Sequence, residues 1–158
     1  MIITNDEIIA KKAKYITTTA KKPHKWDFNH DELGYNYRMP NINAALGCAQ
    51  LEKLPEILKS KRILAENYKS FFNDKSAKFV IEPKNATSNY WLNAIILNDK
   101  YQRDNFLEET NKARVMTRPI WKLMNSLPMY KNNQSGNLEN SAWLEERVIN
   151  IPSSVKHK

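Results

Sequence analysis

The chain has 158 residues, a formal net charge of +8 and one cysteine, and its length is typical of one ordinary domain. Hydrophobic residues make up 41% and charged residues 27% of the sequence, which excludes an intrinsically disordered chain. No apolar run approaches the roughly 20 residues of a membrane helix, and no signal peptide is evident. Because Cys48 cannot form an internal disulfide, we expect a reducing compartment, with the cytoplasm as the default and no membrane partner.

Standard chemical motifs do not occur in the sequence. Its three glycines form no phosphate-binding loop, and its three histidines and single cysteine lack zinc-ligand spacing, so we assign no metal site. Cys48 is interpreted as a small buried packing residue, and Asp31 and Glu32 as a solvated pair or a loop-ordering element. Lysines and arginines are scattered at helical spacing, which favours solvated faces, although a basic nucleic-acid-binding domain remains an alternative.

The first part of the sequence predicts a short strand and a capped helix. The apolar run at residues 1–3 predicts a buried strand. Apolar residues then recur at helical spacing over residues 8–16, and β-branched residues at 17–19 favour an end there. Residues 20–31 lack a period and predict a loop. The candidate N-caps are Thr4, Asn5 and Asp6.

A second helix is predicted to begin near Pro40, which suits a first helical turn. It is expected to break near Leu54 and Pro55, because proline disfavours helical geometry in the preceding residue and cannot donate a helical hydrogen bond. A further helix is expected from Pro55 to Phe72. The residues expected to face inward at the start of the second helix are Ile42, Leu46 and Ala49 or Cys48.

From Phe79 onward the elements are short and alternate in type, which predicts a small α/β layer. We therefore divide the chain near residue 75, into a helical part (residues 1–75) and an α/β part (residues 76–158). The predicted strands are 79–81, 90–97, 115–117 and 148–152. The predicted helical segments are 101–113, capped by Asn98 or Asp99, a turn at 121–127 and a short helix at 142–144.

Two features indicate a functional site. Gly34 precedes Tyr-Asn-Tyr-Arg at residues 35–38, and a glycine there allows a close backbone approach. The following helix carries many small residues, so another backbone could pack tightly on it. Arg118 follows a predicted strand, and strand ends often build sites in α/β folds. The alternative interpretation, that Arg118 is simply a surface arginine, remains equally open.

Residues 30–54 resemble the signature of the DegT-type sugar aminotransferases. The resemblance extends over essentially the whole chain, and its last segments are similar to the branch that makes 4-amino sugars for legionaminic acid or bacillosamine. The further matching segments are residues 1–6, 17–21, 117–121, 127–130 and 147–154.

This resemblance implies the C-terminal part of a fold-type-I, pyridoxal 5′-phosphate (PLP) dependent transferase: a helical segment of the large domain followed by a small α/β C-terminal domain. The implied reaction aminates a 4-keto-6-deoxy nucleotide sugar with glutamate as the amino donor. In the dimers of such enzymes the residue 34–38 loop reaches the neighbouring subunit's site, where Asn36 would hydrogen-bond the cofactor phosphate. Arg38 would supply positive charge near the same phosphate or support the loop's own scaffold. Tyr35, Arg118 and Trp121 would lie on the substrate side.

The resemblance also implies that the Schiff-base lysine of the family lies upstream of Met1. Lys11 and Lys21 match helix-surface and loop positions, so no catalytic residue is assigned to this chain. We therefore expect the chain by itself to be inactive, and to work as a homodimer or with a partner chain that carries the N-terminal half. A non-catalytic dimerisation module is the alternative.

Overall fold

The computed structural model describes residues 2–155, which divide into two compact units at Glu52 and Lys53. The division falls inside a long helix, α2 (Asn41–Phe72). It therefore precedes the domain boundary predicted near residue 75. The second part of α2 belongs with the sheet because Tyr68 and Phe72 pack against the core of the second unit.

The first unit begins with helix α1 (Glu7–Thr17). Asp6 is its N-cap, and its carboxylate accepts hydrogen bonds from the N–H groups of Ile8 and Ile9 at 2.8 and 3.1 Å. One of the three candidate caps is thus confirmed. The strand predicted at residues 1–3 is wrong for Ile2 and Ile3, which are exposed and unpaired, and Met1 lies outside the described residues.

After α1, residues 18–38 form a strap that returns to the end of the helix. Isolated β-bridges join Thr18 to Asn36 and Lys21 to His30. The N–H groups of Tyr35 and Tyr37 donate to the carbonyls of Ile16 and Thr17 at 2.7 and 2.9 Å. The predicted loop is therefore ordered by backbone hydrogen bonds that continue from the last turn of α1.

Gly34 is required because the two ends of the strap cross there, with Gly34 lying against the backbone of Thr19 and Ala20. A Cβ atom added there would lie 2.4 Å from the carbonyl carbon of Thr19 and 2.6 Å from the nitrogen of Ala20. Thr19 and Ala20 themselves have φ angles of 74° and 49°, in the left-handed region. The predicted close backbone approach at Gly34 is confirmed.

Helix α2 is continuous through Pro55, so the predicted break is wrong. Proline removes one donor from a helix interior, and the turns on both sides keep their own hydrogen bonds. The predicted inward face is also wrong. Ile42 and Leu46 are 81% and 62% exposed, and Cys48 is exposed rather than buried, so the described part of the chain leaves this face of α2 uncovered.

The second unit is built on a four-stranded antiparallel sheet of order β1-β2-β4-β3. Its strands are β1 (Lys78–Phe79), β2 (Asn93–Ile96), β3 (Arg118–Pro119) and β4 (Val148–Ile151). All four lie at or next to predicted positions. Pairing of β3 begins only at Arg118, so the strand predicted at residues 115–117 is wrong and lies too early in the chain.

Helices α3 (Lys100–Lys112) and α4 (Glu139–Glu145) complete the unit, with two 3-10 turns at Met124–Ser126 and Pro128–Tyr130. Asp99 caps α3 through a hydrogen bond from the N–H of Gln102 at 2.8 Å. Phe106 and Leu107 of α3 pack against the apolar core. The buried residues of that core are Ala77, Ile95, Leu97, Ile149 and Ile151.

An ion pair fastens the segment between β1 and β2 to α2. The guanidinium of Arg62 contacts both carboxylate oxygens of Glu82, at 3.4 and 3.1 Å, and donates to the carbonyl of Ser88 at 2.8 Å. The N–H of Ser88 also donates to Glu82 at 2.6 Å. The Ser88 N–H bond and then the Arg62 bond hold the pKa of Glu82 below its ordinary value.

Replacing Gly34 by alanine should loosen the strap, because the added Cβ would meet backbone atoms that cannot rotate away. We expect Gly34→Ala to cost about 1–3 kcal/mol locally. Hydrogen exchange of the Tyr35 and Tyr37 amides, which donate to α1, measures the effect. Gly47→Ala is the matched control, because its added Cβ meets no atom of residues 2–155 within 4 Å beyond its chain neighbours and the backbone of its own helix. The control should leave the exchange of both amides unchanged and add about 1 kcal/mol of helix propensity. Equal exchange rates in the two variants would contradict the steric account.

The lowered pKa of Glu82 predicts an acid-sensitive contribution to stability. Because the folded pKa lies below the unfolded one, the contribution is present above the unfolded pKa and is lost as the pH falls through the folded pKa. Glu82→Gln should therefore lower stability at neutral pH and flatten the acid limb of urea unfolding measured between about pH 3 and pH 7. Glu7→Gln, at an exposed helix pair with Lys11, is the control. An unchanged acid limb in Glu82→Gln would rule out this role.

Candidate functional site

The second unit contains a groove of about 930 Å³ beside strands β3 and β4. Arg118 and Trp121, both predicted on the substrate side, line this groove together. Arg118 lies in β3 opposite Asn150 of β4, and Trp121 lies two residues after the end of β3. The residues that line the rest of the groove come from α2, the segment before β2, the segment before β3 and the chain around the end of β4.

Three cationic side chains line the groove: Lys61, Arg114 and Arg118. Arg114 and Arg118 form no ion pair with a carboxylate among residues 2–155. The Arg118 guanidinium lies 3.6 Å from the sulfur of Met116, its one hydrogen-bond partner in this part of the chain. Unpaired guanidinium groups beside a concave surface suit an anionic ligand, such as a phosphate or pyrophosphate.

Two tryptophan side chains add flat apolar surface to the same groove. Trp91 and Trp121 are 66% and 71% exposed, which is unusual for the largest aromatic side chain. Such rings can stack on a base or pack on a sugar face. The combination of unpaired cations and exposed aromatic rings fits a ligand with an anionic part and a flat part.

The sequence interpretation missed three residues of this groove: Lys61, Trp91 and Arg114. They lie in α2, in the segment before β2 and after α3, so no local spacing links them. Only the β2–β4 pairing and the packing of α2 bring them together. Arg114 itself has a φ angle of 61°, and a left-handed φ at an arginine is not a feature that its sequence neighbours indicate.

In the first unit, the strap presents the residue 34–38 loop predicted to serve as a site. Asn36 and Arg38 are exposed, and the Asn36 amide forms no side-chain hydrogen bond to the described residues. One Arg38 nitrogen donates to the carbonyl of Thr18 at 3.3 Å. The rings of Tyr35 and Tyr37 are stacked at 5.4 Å between centroids. The loop therefore holds its polar groups outward on a fixed backbone.

Charged contacts fasten this strap to α1. Asp31 accepts a hydrogen bond from the hydroxyl of Tyr15 and pairs with Lys22 at 3.1 Å. The Tyr15 hydroxyl and the Lys22 ammonium hold the pKa of Asp31 below its ordinary value, while Asp31 raises the pKa of Tyr15 to about 12. Glu32 pairs with Lys12 of α1. Of the two interpretations of Asp31 and Glu32, the loop-ordering one fits these contacts.

Two further findings concern the described part of the chain. Residues 2–155 contain no group of three or more histidine, cysteine, aspartate or glutamate side chains that could hold a metal ion. No helix within the same range is long and apolar enough to cross a membrane.

Comparison with known proteins finds curated relatives and solved structures that agree with one another. The GDP-perosamine synthase of Vibrio cholerae is 33% identical over 158 residues, which cover 97% of this chain and 42% of the synthase. PseC of Helicobacter pylori, an aminotransferase involved in the biosynthesis of pseudoaminic acid, matches with a TM-score of 0.83 and 21% identity, over 94% of this chain and 42% of its own. The PLP form of Spr1654 from Streptococcus pneumoniae matches with a TM-score of 0.81 and 21% identity, over 98% of this chain and 41% of its own.

These structural matches confirm the predicted α/β fold class. The chain spans 34–42% of the length of three curated relatives that it matches. The family model described as "DegT/DnrJ/EryC1/StrS aminotransferase family" matches residues 1–158. The chain therefore belongs to the DegT/DnrJ/EryC1/StrS aminotransferase family.

Proposed function

We propose that this chain is the C-terminal portion of a PLP-dependent aminotransferase that converts a 4-keto-6-deoxy nucleotide sugar to the 4-amino sugar, with glutamate as amino donor. The observation that carries the proposal is the groove in which Arg118 and Trp121 meet, with its guanidinium groups unpaired by carboxylates in the described residues. Relatives named GDP-perosamine synthase and UDP-4-amino-4,6-dideoxy-N-acetyl-beta-L-altrosamine transaminase support a nucleotide-sugar substrate.

The groove chemistry suits the two parts of such a substrate. In this proposal the Arg118 guanidinium donates to pyrophosphate oxygens, with Arg114 as a second positive charge. The Trp121 ring packs on the sugar or the base, since both offer a flat face. Tyr35, which is 46% exposed in the residue 34–38 loop of the first unit, is a further substrate contact in this proposal, independent of the groove.

The donors of the residue 34–38 loop fit the phosphate of PLP. The exposed Asn36 amide offers two N–H donors, and the Arg38 guanidinium keeps donors beyond its one bond to Thr18. In this proposal both side chains hold and orient the cofactor, across the interface of a dimer or with a partner chain. When bound, PLP supplies an electron sink for amino-group exchange.

A second candidate, a non-catalytic dimerisation module, is favoured by the apolar surface of the first unit. Many apolar side chains there are more than half exposed, although folded monomers rarely expose large contiguous apolar patches. On the two helices they include Ile8, Ile42, Leu46 and Leu51. Such a module would pair with a second chain and would need no cofactor.

The proposed function predicts that the purified chain alone, given PLP, glutamate and a 4-keto-6-deoxy nucleotide sugar, yields no 4-amino sugar. Co-expression with a chain that supplies the remaining length of a family member should restore product formation. Asn36→Ala and Arg38→Ala should then weaken PLP retention about 10–100-fold, as expected for lost hydrogen bonds to a charged group. Asn29→Ala, at an exposed position in the same strap, is the control.

Light scattering on the same samples separates the two candidates. Pairing without PLP binding or turnover in the co-expressed sample would favour the dimerisation module. A strict monomer that gains no activity on co-expression would contradict both candidates, and turnover by the chain alone would contradict the proposed division of the active site.

The groove should bind a nucleoside diphosphate through its guanidinium groups. Titration calorimetry with GDP and with UDP should show binding to the chain that weakens about tenfold in Arg118→Ala and falls with added salt. Lys122→Ala is the matched control, because Lys122 is exposed and pairs with Glu145 outside the groove lining. Equal affinity in the Arg118 and Lys122 variants would remove Arg118 from the site.

A further inference from the structure

Lys61 of α2 joins two segments that form separate walls of the groove. They are the segment around Trp91 (the Trp91 wall) and the segment around Ser153 (the Ser153 wall). Its ammonium group donates to the backbone carbonyl of Trp91 at 3.2 Å and to that of Ser153 at 2.7 Å. Trp91 precedes β2, and Ser153 follows β4. All three residues line the groove. A single charged donor thus connects three segments that meet only in the folded unit.

Both acceptors of Lys61 are also tied to the sheet or to their own segment. The N–H of Asn93 donates to the hydroxyl of Ser153 at 2.8 Å, and that hydroxyl donates to the carbonyl of Ile151 at 2.7 Å. The N–H of Trp91 donates to the side chain of Asn89 at 2.9 Å. The Trp91 backbone therefore has a local bond on its N–H and the Lys61 bond on its carbonyl.

The two hydrogen bonds of Lys61 have a specific consequence for the groove. Hydrogen bonds from a charged donor are stronger than neutral ones, and two of the three ammonium donors are occupied by carbonyls. The Trp91 ring, in contrast, is 66% exposed and has little packing of its own to fix it. Its position depends on its backbone, whose N–H is held by Asn89 and whose carbonyl is held by Lys61.

We propose that Lys61 is a positioning residue that holds the Trp91 wall against the Ser153 wall, so that the groove is formed before its ligand arrives. A preformed groove binds more tightly, because its walls need not be ordered on binding. The wall-holding role follows from the contacts of Lys61. The effect on affinity rests on the proposed function, in which the groove takes the nucleoside diphosphate part of a nucleotide sugar.

The test compares Lys61→Met, which keeps an apolar stem but removes the charged donors, with two other variants. Lys61→Arg keeps charged N–H donors and should restore the contacts in part. Lys59→Met is the matched control, because Lys59 is exposed in the same helix and outside the groove lining. Circular dichroism, together with the indole resonances of Trp26 and Trp143, shows whether each variant folds.

The first readout needs no ligand. The indole N–H resonance of Trp91, assigned with Trp91→Phe, should shift and broaden in Lys61→Met and recover in Lys61→Arg, while Lys59→Met matches the unmodified chain. A Trp91 resonance unchanged in a folded Lys61→Met would overturn the positioning role, as would a loss of folding that Lys61→Arg does not restore.

The second readout is titration with GDP and with UDP. Lys61→Met should bind the preferred nucleotide about tenfold more weakly, and Lys59→Met should bind it as the unmodified chain does. Unchanged affinity despite a displaced Trp91 would overturn the effect on the ligand. If the unmodified chain binds neither nucleotide, the proposed substrate of the groove fails, and the wall-holding role is decided by the Trp91 resonance alone.

Discussion

The antiparallel pairing of β2 with β4 is the constraint on which the second unit depends. Ile95 and Ile149 face each other in this pair, and both are fully buried. The pairing fixes where the segment before β2 and the chain after β4 lie, and both segments line the groove. It also sets the position of β3, which pairs with β4 and carries Arg118. The groove is therefore a consequence of strand register.

Charged side chains of α2 act in this unit as cross-links. Lys61 bonds to the carbonyls of Trp91 and Ser153, and Arg62 binds Glu82 and the carbonyl of Ser88. Successive residues of a helix point in different directions, so the two side chains reach different parts of the β1–β2 connection. That connection has little regular structure. Hydrogen bonds from charged side chains hold it in place, where a β-strand would be held by backbone hydrogen bonds to its neighbour. The remaining cations of the groove, Arg114 and Arg118, stay without a carboxylate partner within residues 2–155.

In the first unit, too, hydrogen bonds and ion pairs hold a segment that has little regular structure. Its strap has no sheet to join, so backbone bonds to the end of α1 and the pairs of Asp31 and Glu32 fix it. Gly34 permits the crossing because no side chain intervenes between the two backbones. The outward polar groups of Asn36 and Arg38 follow from this arrangement. Order in this loop comes from contacts that leave its tip exposed.

The sequence by itself determined the features that depend on near neighbours: helix caps whose candidates included Asp6 and Asp99, the position of β4, the close approach at Gly34 and the family resemblance. It misjudged Pro55, because one missing N–H does not outweigh the surrounding helical turns. It also misjudged Ile42, Leu46 and Cys48, because a periodic apolar face predicts burial only where something covers it. Only the tertiary structure joined Lys61, Trp91 and Arg114 to Arg118 and Trp121, because strand pairing and helix packing bring together residues that no local pattern connects.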